Sequence, residues 1–355
     1  MEIAKYTLEP GSHGDTTRGR AAKGSAGADK VPQPPANWRI DLHGMSILAF
    51  GGGGSLSEHF LTAAAGCGAR VAIADFLPED PDAARTNRER ILNLARRIAS
   101  IKNNEIPERT GKLAEPEPEL PPVIFGDVRK SADVKATVDY AAEKFGTIDI
   151  GIDFAGIHHR PFDLAQEAAE ALEESFRNVI DINLHGAFLI TAHLARRMAA
   201  QRRGHIIHLC SNGSRASLYG SYAYNASKHG LEGLVKTAAA QMAPYGVRVN
   251  AIAPGTVETN LNRELLRDET GELRPRARSI LAHTPSKKFC TREGVTATML
   301  SMCIPQPHFT GNVVFADDGY NIEGHSWPEG NQALFAGQDE LEDLFTQIDS
   351  EFPGV

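Results

Sequence analysis

Residues 46–75 read SILAFGGGGSLSEHFLTAAAGCGARVAIAD. An apolar run from Ser46 to Phe50, four glycines, helical character from Leu56 to Ala65 and a second apolar run from Arg70 to Asp75 compose a β-turn-α-β unit. In such a unit the turn is where a pyrophosphate meets free backbone N–H groups and the positive end of a helix dipole. Glycine is wanted there because a Cβ would obstruct the tight turn, the ligand or the approach of the helix to the sheet. Gly51 to Gly54 supply the turn, and Asp75, ending the second strand, is placed to accept hydrogen bonds from an adenosine ribose diol. A carboxylate there repels a 2′-phosphate, which favours NAD over NADP. Ser55 and Ser57 stand where further glycine is usual. Either hydroxyl is able to cap helix N–H groups, yet a Cβ at Ser55 also presses toward a phosphate. Glu58 adds negative charge and clamps no phosphate. Taken alone, the run fits a ligand-free turn as well as a dinucleotide site.

Outward from this unit the alternation continues. Apolar runs at 122–125, 148–154, 205–210, 247–253 and 312–316 read as strands, and helices fit near 132–145, 165–202, 222–243 and 291–303. Strands that are apolar nearly throughout are buried on both faces, so the expected fold is α/β, a Rossmann-type doubly wound parallel sheet. That domain is expected over 40–320. Residues 1–39, rich in Gly, Ala, Ser, Pro and charge, are expected to form a flexible extension ending in PQPP (32–35). An extended crossover occupies 76–121. It holds an amphipathic helix with Ile91, Leu94, Ala95, Ile98 and Ile101 on one face, then a solvated loop around AEPEPELPP (114–122). Residues 321–355 are expected to form a C-terminal extension, with Trp327 and a candidate short helix around 340–348.

Composition narrows the classes. Across 355 residues the net charge is −8, an acidic balance that gives no reason to expect nucleic acid, whose backbone calls for clustered Lys and Arg. No apolar run approaches a bilayer span, and the first residues show no apolar core of a secretory signal. Cys67, Cys210, Cys290 and Cys303 lack metal-ligand spacing. They are expected to be reduced, three of them core thiols, in a cytoplasmic compartment.

The chemistry concentrates in 211–228, SNGSRASLYGSYAYNASK. Tyr224 and Lys228, four apart, share a helix face. An ammonium beside a phenol favours phenolate and suits the pair to exchange a proton opposite a hydride transfer. Ser211 follows the apolar strand IIHLC at its C-terminal end, the edge where open α/β sheets bind ligands. Asn183 lies among Val179, Ile180, Leu184, Phe188 and Leu189, where an amide is a cost unless its hydrogen-bonding capacity is used. Singly, each has a plainer reading: a core tyrosine with a solvated lysine, a turn serine, a satisfied polar residue.

In combination these residues resemble the short-chain dehydrogenase/reductase family, metal-free enzymes that use NAD(H) or NADP(H). The Tyr-x-x-x-Lys motif matches Tyr224 to Lys228, and the family's serine, thirteen residues earlier, falls on Ser211. The asparagine of the tetrad falls on Asn183 in IDINLHGAF. NAIAPG (250–255) matches Asn-Ala-x-x-Pro-Gly, followed by Thr256, Val257 and Thr259. GDV places the adenine contact at Asp127, beside Val128, and a late Thr-Gly pair falls on Thr310 and Gly311. The likeness runs from about Leu42 to Tyr320. Three departures stand out. Phe50, Ser55 and Ser57 replace a threonine and two glycines of the first motif. The Asn-Asn-Ala-Gly segment is DFAG (153–156). The crossover after Asp75 is longer than in relatives, and emerges where it is able to cover the cofactor.

The resemblance implies an NAD(P)-dependent oxidoreductase, NAD(H) favoured and NADP(H) possible, interconverting a secondary alcohol and a ketone. Tyr224 is implied as proton donor or acceptor, Lys228 as holder of the nicotinamide ribose, Ser211 as partner of the reacting oxygen, and Asn183 as anchor of a water. The implied cofactor contacts are Gly51, Gly53, Ser55, Leu56, Asp75, Asp127, Val128, Ala155, Gly156, Tyr224, Lys228, Pro254, Gly255, Val257 and Thr259. A homodimer or homotetramer is implied as well. The altered glycine motif keeps a second reading open, a lapsed member that no longer turns over dinucleotide. A third is a non-redox dehydratase or epimerase on the same fold. The substrate side is expected along 258–290, where Arg263, Arg267, Arg274, Arg276 and Arg278 hint at a carboxylate, phosphate or hydroxylated ligand. Surface charge explains them equally well. Tyr219 and Tyr222 are candidate aromatic walls.

Overall fold

The computed structural model describes residues 40–104, 120–216, 218, 220–259 and 262–322. The expected N-terminal extension, most of the acidic crossover loop, Tyr219 and the C-terminal extension after residue 322 lie outside them.

Seven strands form one parallel sheet among the described residues. They are β1 (Ser46–Phe50), β2 (Arg70–Asp75), β3 (Val123–Phe125), β4 (Ile150–Asp153), β5 (Gly204–Leu209), β6 (Val247–Pro254) and β7 (Val313–Ala316). Their order is β3-β2-β1-β4-β5-β6-β7. The helices are α1 (Ser55–Gly66), α2 (Pro81–Asn104), α3 (Ser131–Phe145), α4 (Ala169–Ile180), α5 (Ala187–Gln201), α6 (Tyr222–Met242), α7 (Arg263–Leu266), α8 (Pro275–Ala282) and α9 (Arg292–Cys303).

The strands are apolar throughout because both faces are covered. In β1 every residue is buried, and neighbours alternate between two layers. Ile47 and Ala49 pack with Phe60, Ile91 and Met299 of α1, α2 and α9. Leu48 and Phe50 pack on the other face with Val138, Ile190 and Leu231 of α3, α5 and α6. Each of these side chains larger than alanine contributes about 1.5–3 kcal/mol on burial. This two-sided burial forbids the hydrophobic-in, polar-out alternation of an antiparallel sheet.

Three details differ from expectation. The stretch expected as one helix over 165–202 is α4 and α5 joined by a π-helical turn, Asp181–Gly186. Its wide turn accompanies Asn183, whose amide bonds the backbone of Ile157, and Gly186, where a Cβ would lie 2.9 Å from Val128. The segment after β6 carries α7 and α8, which no long periodic pattern announces. Two cysteines rather than three are buried, Cys210 and Cys303; Cys67 and Cys290 are half-buried. None of the described helices is long and apolar enough to cross a membrane.

The strand order reverses between β1 and β4, and a crevice opens there at the C-terminal edge of the sheet, the usual ligand position in such folds.

Candidate active site

Two connected chambers occupy this crevice, of about 300 Å³ and about 500 Å³. Gly51, Gly54, Arg90, Phe154 and Gly156 line both.

Between them lies the glycine turn. Gly51 has φ +69°, and a Cβ there would fall 2.7 Å from the backbone nitrogen of Ala155, so the turn needs glycine twice over. Gly53 donates its N–H to Asp75 Oδ2 at 2.6 Å. Ser57 is buried, its hydroxyl 2.9 Å from the Gly51 carbonyl oxygen and 2.8 Å from that of Gly54. Its hydroxyl therefore closes the turn from inside. The N-cap of α1, Gly54, brings no side-chain hydrogen bond to the first turn. Ser55 Oγ is buried with no hydrogen-bond partner among the described residues. Phe154 packs on Phe60, ring centroids 5.8 Å apart, beneath this turn.

The smaller chamber is framed in part by Asp75, Phe76, Asp127, Val128 and Arg129. Asp75 accepts N–H bonds from both Gly53 and Phe76, which fixes its carboxylate at the end of β2. Asp127 is gripped by Arg129, whose Nε and Nη2 donate to its carboxylate at 2.7–3.0 Å. The Arg129 side-chain hydrogen bond holds the Asp127 carboxyl below its ordinary range, against the opposing effect of burial. Arg129 also lies over the Phe76 ring. From α2 come two further cations: Arg97 pairs with Glu58, and Arg90 reaches the turn. A Cβ built on Gly53 would lie 2.9 Å from Arg90 Nη2.

The larger chamber holds Ser211 and Tyr224 together with Pro254, Gly255, Val257 and Thr259. Lys228 is buried behind Tyr224. Its Nζ donates to the Leu209 carbonyl at 2.7 Å and lies 5.6 Å from the Tyr224 ring centroid. Ser211 Oγ accepts the Gly213 N–H at 3.1 Å and donates to Asn212 Oδ1 at the same distance. Glu232 of α6 shapes this loop by bonding Ser214 and Arg215. Asn183 spends its amide on the Ile157 N–H and carbonyl and on Ser227. A Cβ at Gly156 would lie 3.4 Å from Asn183 Oδ1 and 3.8 Å from Lys228 Nζ, ordinary contact distances that place Gly156 beside both. Of the expected residues, Gly53, Asn183 and Lys228 stand behind the chamber walls; the others line them.

Sequence reading passed over His158, Arg90, Arg129 and the partner of Asp153. The His158 ring packs on Tyr224 with centroids 4.6 Å apart and the planes tilted by 37°, and its Nδ1 lies 2.5 Å from the His159 carbonyl oxygen. A carbonyl only accepts, so Nδ1 carries the proton and Nε2 keeps a lone pair. Burial pushes His158 down to about 4, leaving it neutral at pH 7. Asp153, where the motif has asparagine, bonds His208 across the sheet and receives the Ala155 N–H. Of the two candidate aromatic walls, Tyr222 stacks on Phe162 and is 40% exposed, outside both chambers.

The crevice fits a dinucleotide on these observations. A tight glycine turn at a helix N-terminus, an unpartnered Ser55 hydroxyl and the Arg90 guanidinium face one region, and a fixed carboxylate stands at the end of β2.

The comparisons agree with this geometry. A family model described as enoyl-(acyl carrier protein) reductase matches residues 93–321. Momilactone A synthase of Oryza sativa subsp. japonica is 39% identical over 151 residues, 42% of this chain and 54% of that protein. Xanthoxin dehydrogenase of Arabidopsis thaliana is 39% identical over 139 residues, 39% of this chain and 47% of that protein. The matched stretch thus spans about half the length of these curated relatives. Among solved structures, a gluconate 5-dehydrogenase from Burkholderia cenocepacia, in complex with NADP and tartrate, superposes with a TM-score of 0.64 at 25% identity. It covers 81% of this chain and 98% of its own. Levodione reductase shares the fold at TM-score 0.64 and 24% identity, covering 79% of this chain and 99% of its own. A parallel sheet with its crevice at the β1/β4 switch, Ser211 and Tyr224 in one chamber with Lys228 behind, and a family model matched over 229 residues (93–321) lead to one conclusion: the chain belongs to the short-chain dehydrogenase/reductase family.

Proposed function

We propose that the protein is an NAD(P)-dependent oxidoreductase that interconverts a secondary alcohol and a ketone. The observation that carries this reading is the placing of Tyr224 and Ser211 in the chamber that adjoins the glycine turn, with Lys228 behind the phenol. A bound dinucleotide would supply the hydride acceptor for the carbinol hydrogen, and Tyr224 Oη would receive the alcohol proton, so that a ketone is left.

This chain's residues supply placement and charge. Ser211, held by Gly213 and Asn212, offers its hydroxyl to the reacting oxygen. Lys228, anchored on the Leu209 carbonyl, brings a buried ammonium to the phenol. Asn183 acts through position: it fixes Ile157, and with it the turn that carries Gly156 between the two chambers. Phosphates would meet the first turn of α1, the Ser55 hydroxyl and Arg90. Ser57, with its hydroxyl against the Gly51 and Gly54 carbonyls, is compatible with a working turn, which favours this reading over a lapsed member. Asp75 supports a preference for NAD(H). The gluconate 5-dehydrogenase neighbour is a complex with NADP, so that preference rests on Asp75 alone.

The test has two readouts. NADH fluorescence is expected to saturate on titration, and Tyr224→Phe is expected to keep that affinity while lowering turnover by roughly a hundredfold or more. Absence of saturable binding would establish the lapsed reading. Product formation without net change in cofactor oxidation state would establish the dehydratase or epimerase reading.

A further inference from the structure

Five arginines crowd the segment between β6 and α9, and the structure separates them. Arg267 pairs with Glu258, and Arg274 donates to the Arg267 carbonyl oxygen. Arg263, Arg274 and Arg278 are exposed. Arg276 alone of the five lines the larger chamber, in which Ser211 and Tyr224 also stand. It is half-buried at the start of α8, and its Nη2 donates to Ser221 Oγ at 3.2 Å. Ser221 is the N-cap of α6, the helix that carries Tyr224, so this contact ties the guanidinium to the catalytic helix.

The rest of the chamber is biased to one sign. Among the described residues lining it there is no aspartate and no glutamate; the charged side chains are Arg90 at the glycine turn and Arg276 on the α7–α8 side. The chamber lining they share also holds Leu218, Leu265, Leu266 and Ile280 and the uncharged polar Asn212, Thr259 and Asn262. A cation in such a lining attracts an anion more strongly than one in open water. Desolvation draws the Arg276 guanidinium below its ordinary value, the mark of a charge kept partly from solvent. His158, neutral with an Nε2 lone pair, competes for no anion and leaves Arg276 as the chamber's cation on this side.

Resting on the oxidoreductase reading above, we infer that the substrate is a secondary alcohol, or its ketone, that bears a carboxylate, and that Arg276 binds this carboxylate. A guanidinium offers two parallel N–H groups, which match the two oxygens of a carboxylate. One cation neutralises one carboxylate, whereas a phosphate dianion would keep a net negative charge in the chamber. The redox balance is that of the proposed reaction, and the carboxylate is unchanged by it.

The test uses the full-length protein, with NADH fluorescence titration run first and independently. A panel of small secondary alcohols is then supplied with NAD⁺ and NADP⁺ in matched sets: 2-hydroxy and 3-hydroxy acids, their carboxamides, phosphorylated counterparts, and bicyclic terpenoid alcohols. The expected result is that the acids exceed their carboxamides at least tenfold in kcat/KM. In Arg276→Leu that ratio is expected to fall to near one, through KM, with NADH affinity unchanged, and Arg276→Lys is expected to recover part of it. Preference for carboxamides, phosphorylated compounds or terpenoid alcohols would overturn the inference, as would no turnover of any acid by a protein that binds NADH. Equal loss for acid and carboxamide in Arg276→Leu would overturn it too. Failure of NADH to bind would instead sink the cofactor reading.

Discussion

Asp153 and His208 face each other at one level of β4 and β5, with the imidazole Nδ1 3.0 Å from the carboxylate Oδ2 and both side chains buried. The other ring nitrogen, Nε2, lies 2.9 Å from Thr191 Oγ1 on α5, and Asp153 Oδ1 accepts the Ala155 N–H. The pair thus links the helix layer to the turn that carries Gly156. Removing His208 leaves Asp153 Oδ2 buried without its partner, while Oδ1 keeps the Ala155 N–H. His208→Leu is expected to cost about 1–3 kcal/mol, the cost of a buried polar atom left unsatisfied. Asp153→Asn keeps an acceptor oxygen for the Ala155 N–H and turns an NH2 donor toward His208 Nδ1, which accepts it in the tautomer with the proton on Nε2, and is expected to cost less than half as much. Urea denaturation midpoints check this, and equal losses would refute the pairing as the cause.

Arg90 reaches the crevice from α2, within the long crossover. A charge-assisted contact is worth about 1.5–3 kcal/mol. Arg90→Met is therefore expected to weaken NADH and NADPH alike by roughly ten- to a hundredfold, as a contact to the shared diphosphate would. Arg88→Met is the control, since Arg88 stacks over Phe125 and lines neither chamber. Fluorescence titration of both dinucleotides reads the effect. An unchanged affinity for both would remove Arg90 from the phosphate site, and the wild-type ratio of the two affinities measures what Asp75 contributes.

His158 carries a pH signature. Burial lowers its folded value from 6.5 to about 4. Between those values the unfolded chain binds the proton and the folded chain does not, so stability rises with pH across this window. Its contribution is fully present above 6.5 and is lost as pH falls through the folded value of about 4; the total is about 3 kcal/mol. His158→Phe is expected to flatten the slope of unfolding free energy between pH 4 and 6.5. A slope identical to wild type would show that the ring is hydrated and titrates normally.

Much of the frame was legible because burial on both faces writes strands as unbroken apolar runs. All seven strands fall where those runs stand, shifted by a residue or two at their ends. The spacing of Ser211, Tyr224 and Lys228 was legible for a similar reason: strand end and helix face are local facts. The interruption at Asp181–Gly186 was not, since a π-turn and an α-turn accept the same side chains, and what distinguishes this one is Asn183 meeting Ile157 from another crossover. Asp153 stood out in sequence as a lost amide, yet its partner lies 55 positions away on the next strand. The cations were unreadable as a set. Only the fold sends Arg90 and Arg276 into the crevice while Arg97 is spent on Glu58 and Arg267 on Glu258.

The excursion that bears Arg276 leaves the sheet after β6 and returns before α9, and Val257 and Cys290 join at its neck as an isolated parallel bridge. The Cys290 N–H, 2.9 Å from the Thr256 carbonyl oxygen, fastens the same point. What lies beyond the neck is thereby a cassette, closed at its base and seated beside α6, where Arg276 meets Ser221. On the proposed function, replacing its contents would alter what the chamber admits while Ser211, Tyr224 and Lys228 keep their places, so selectivity would be free to diverge without rebuilding the rest of the site.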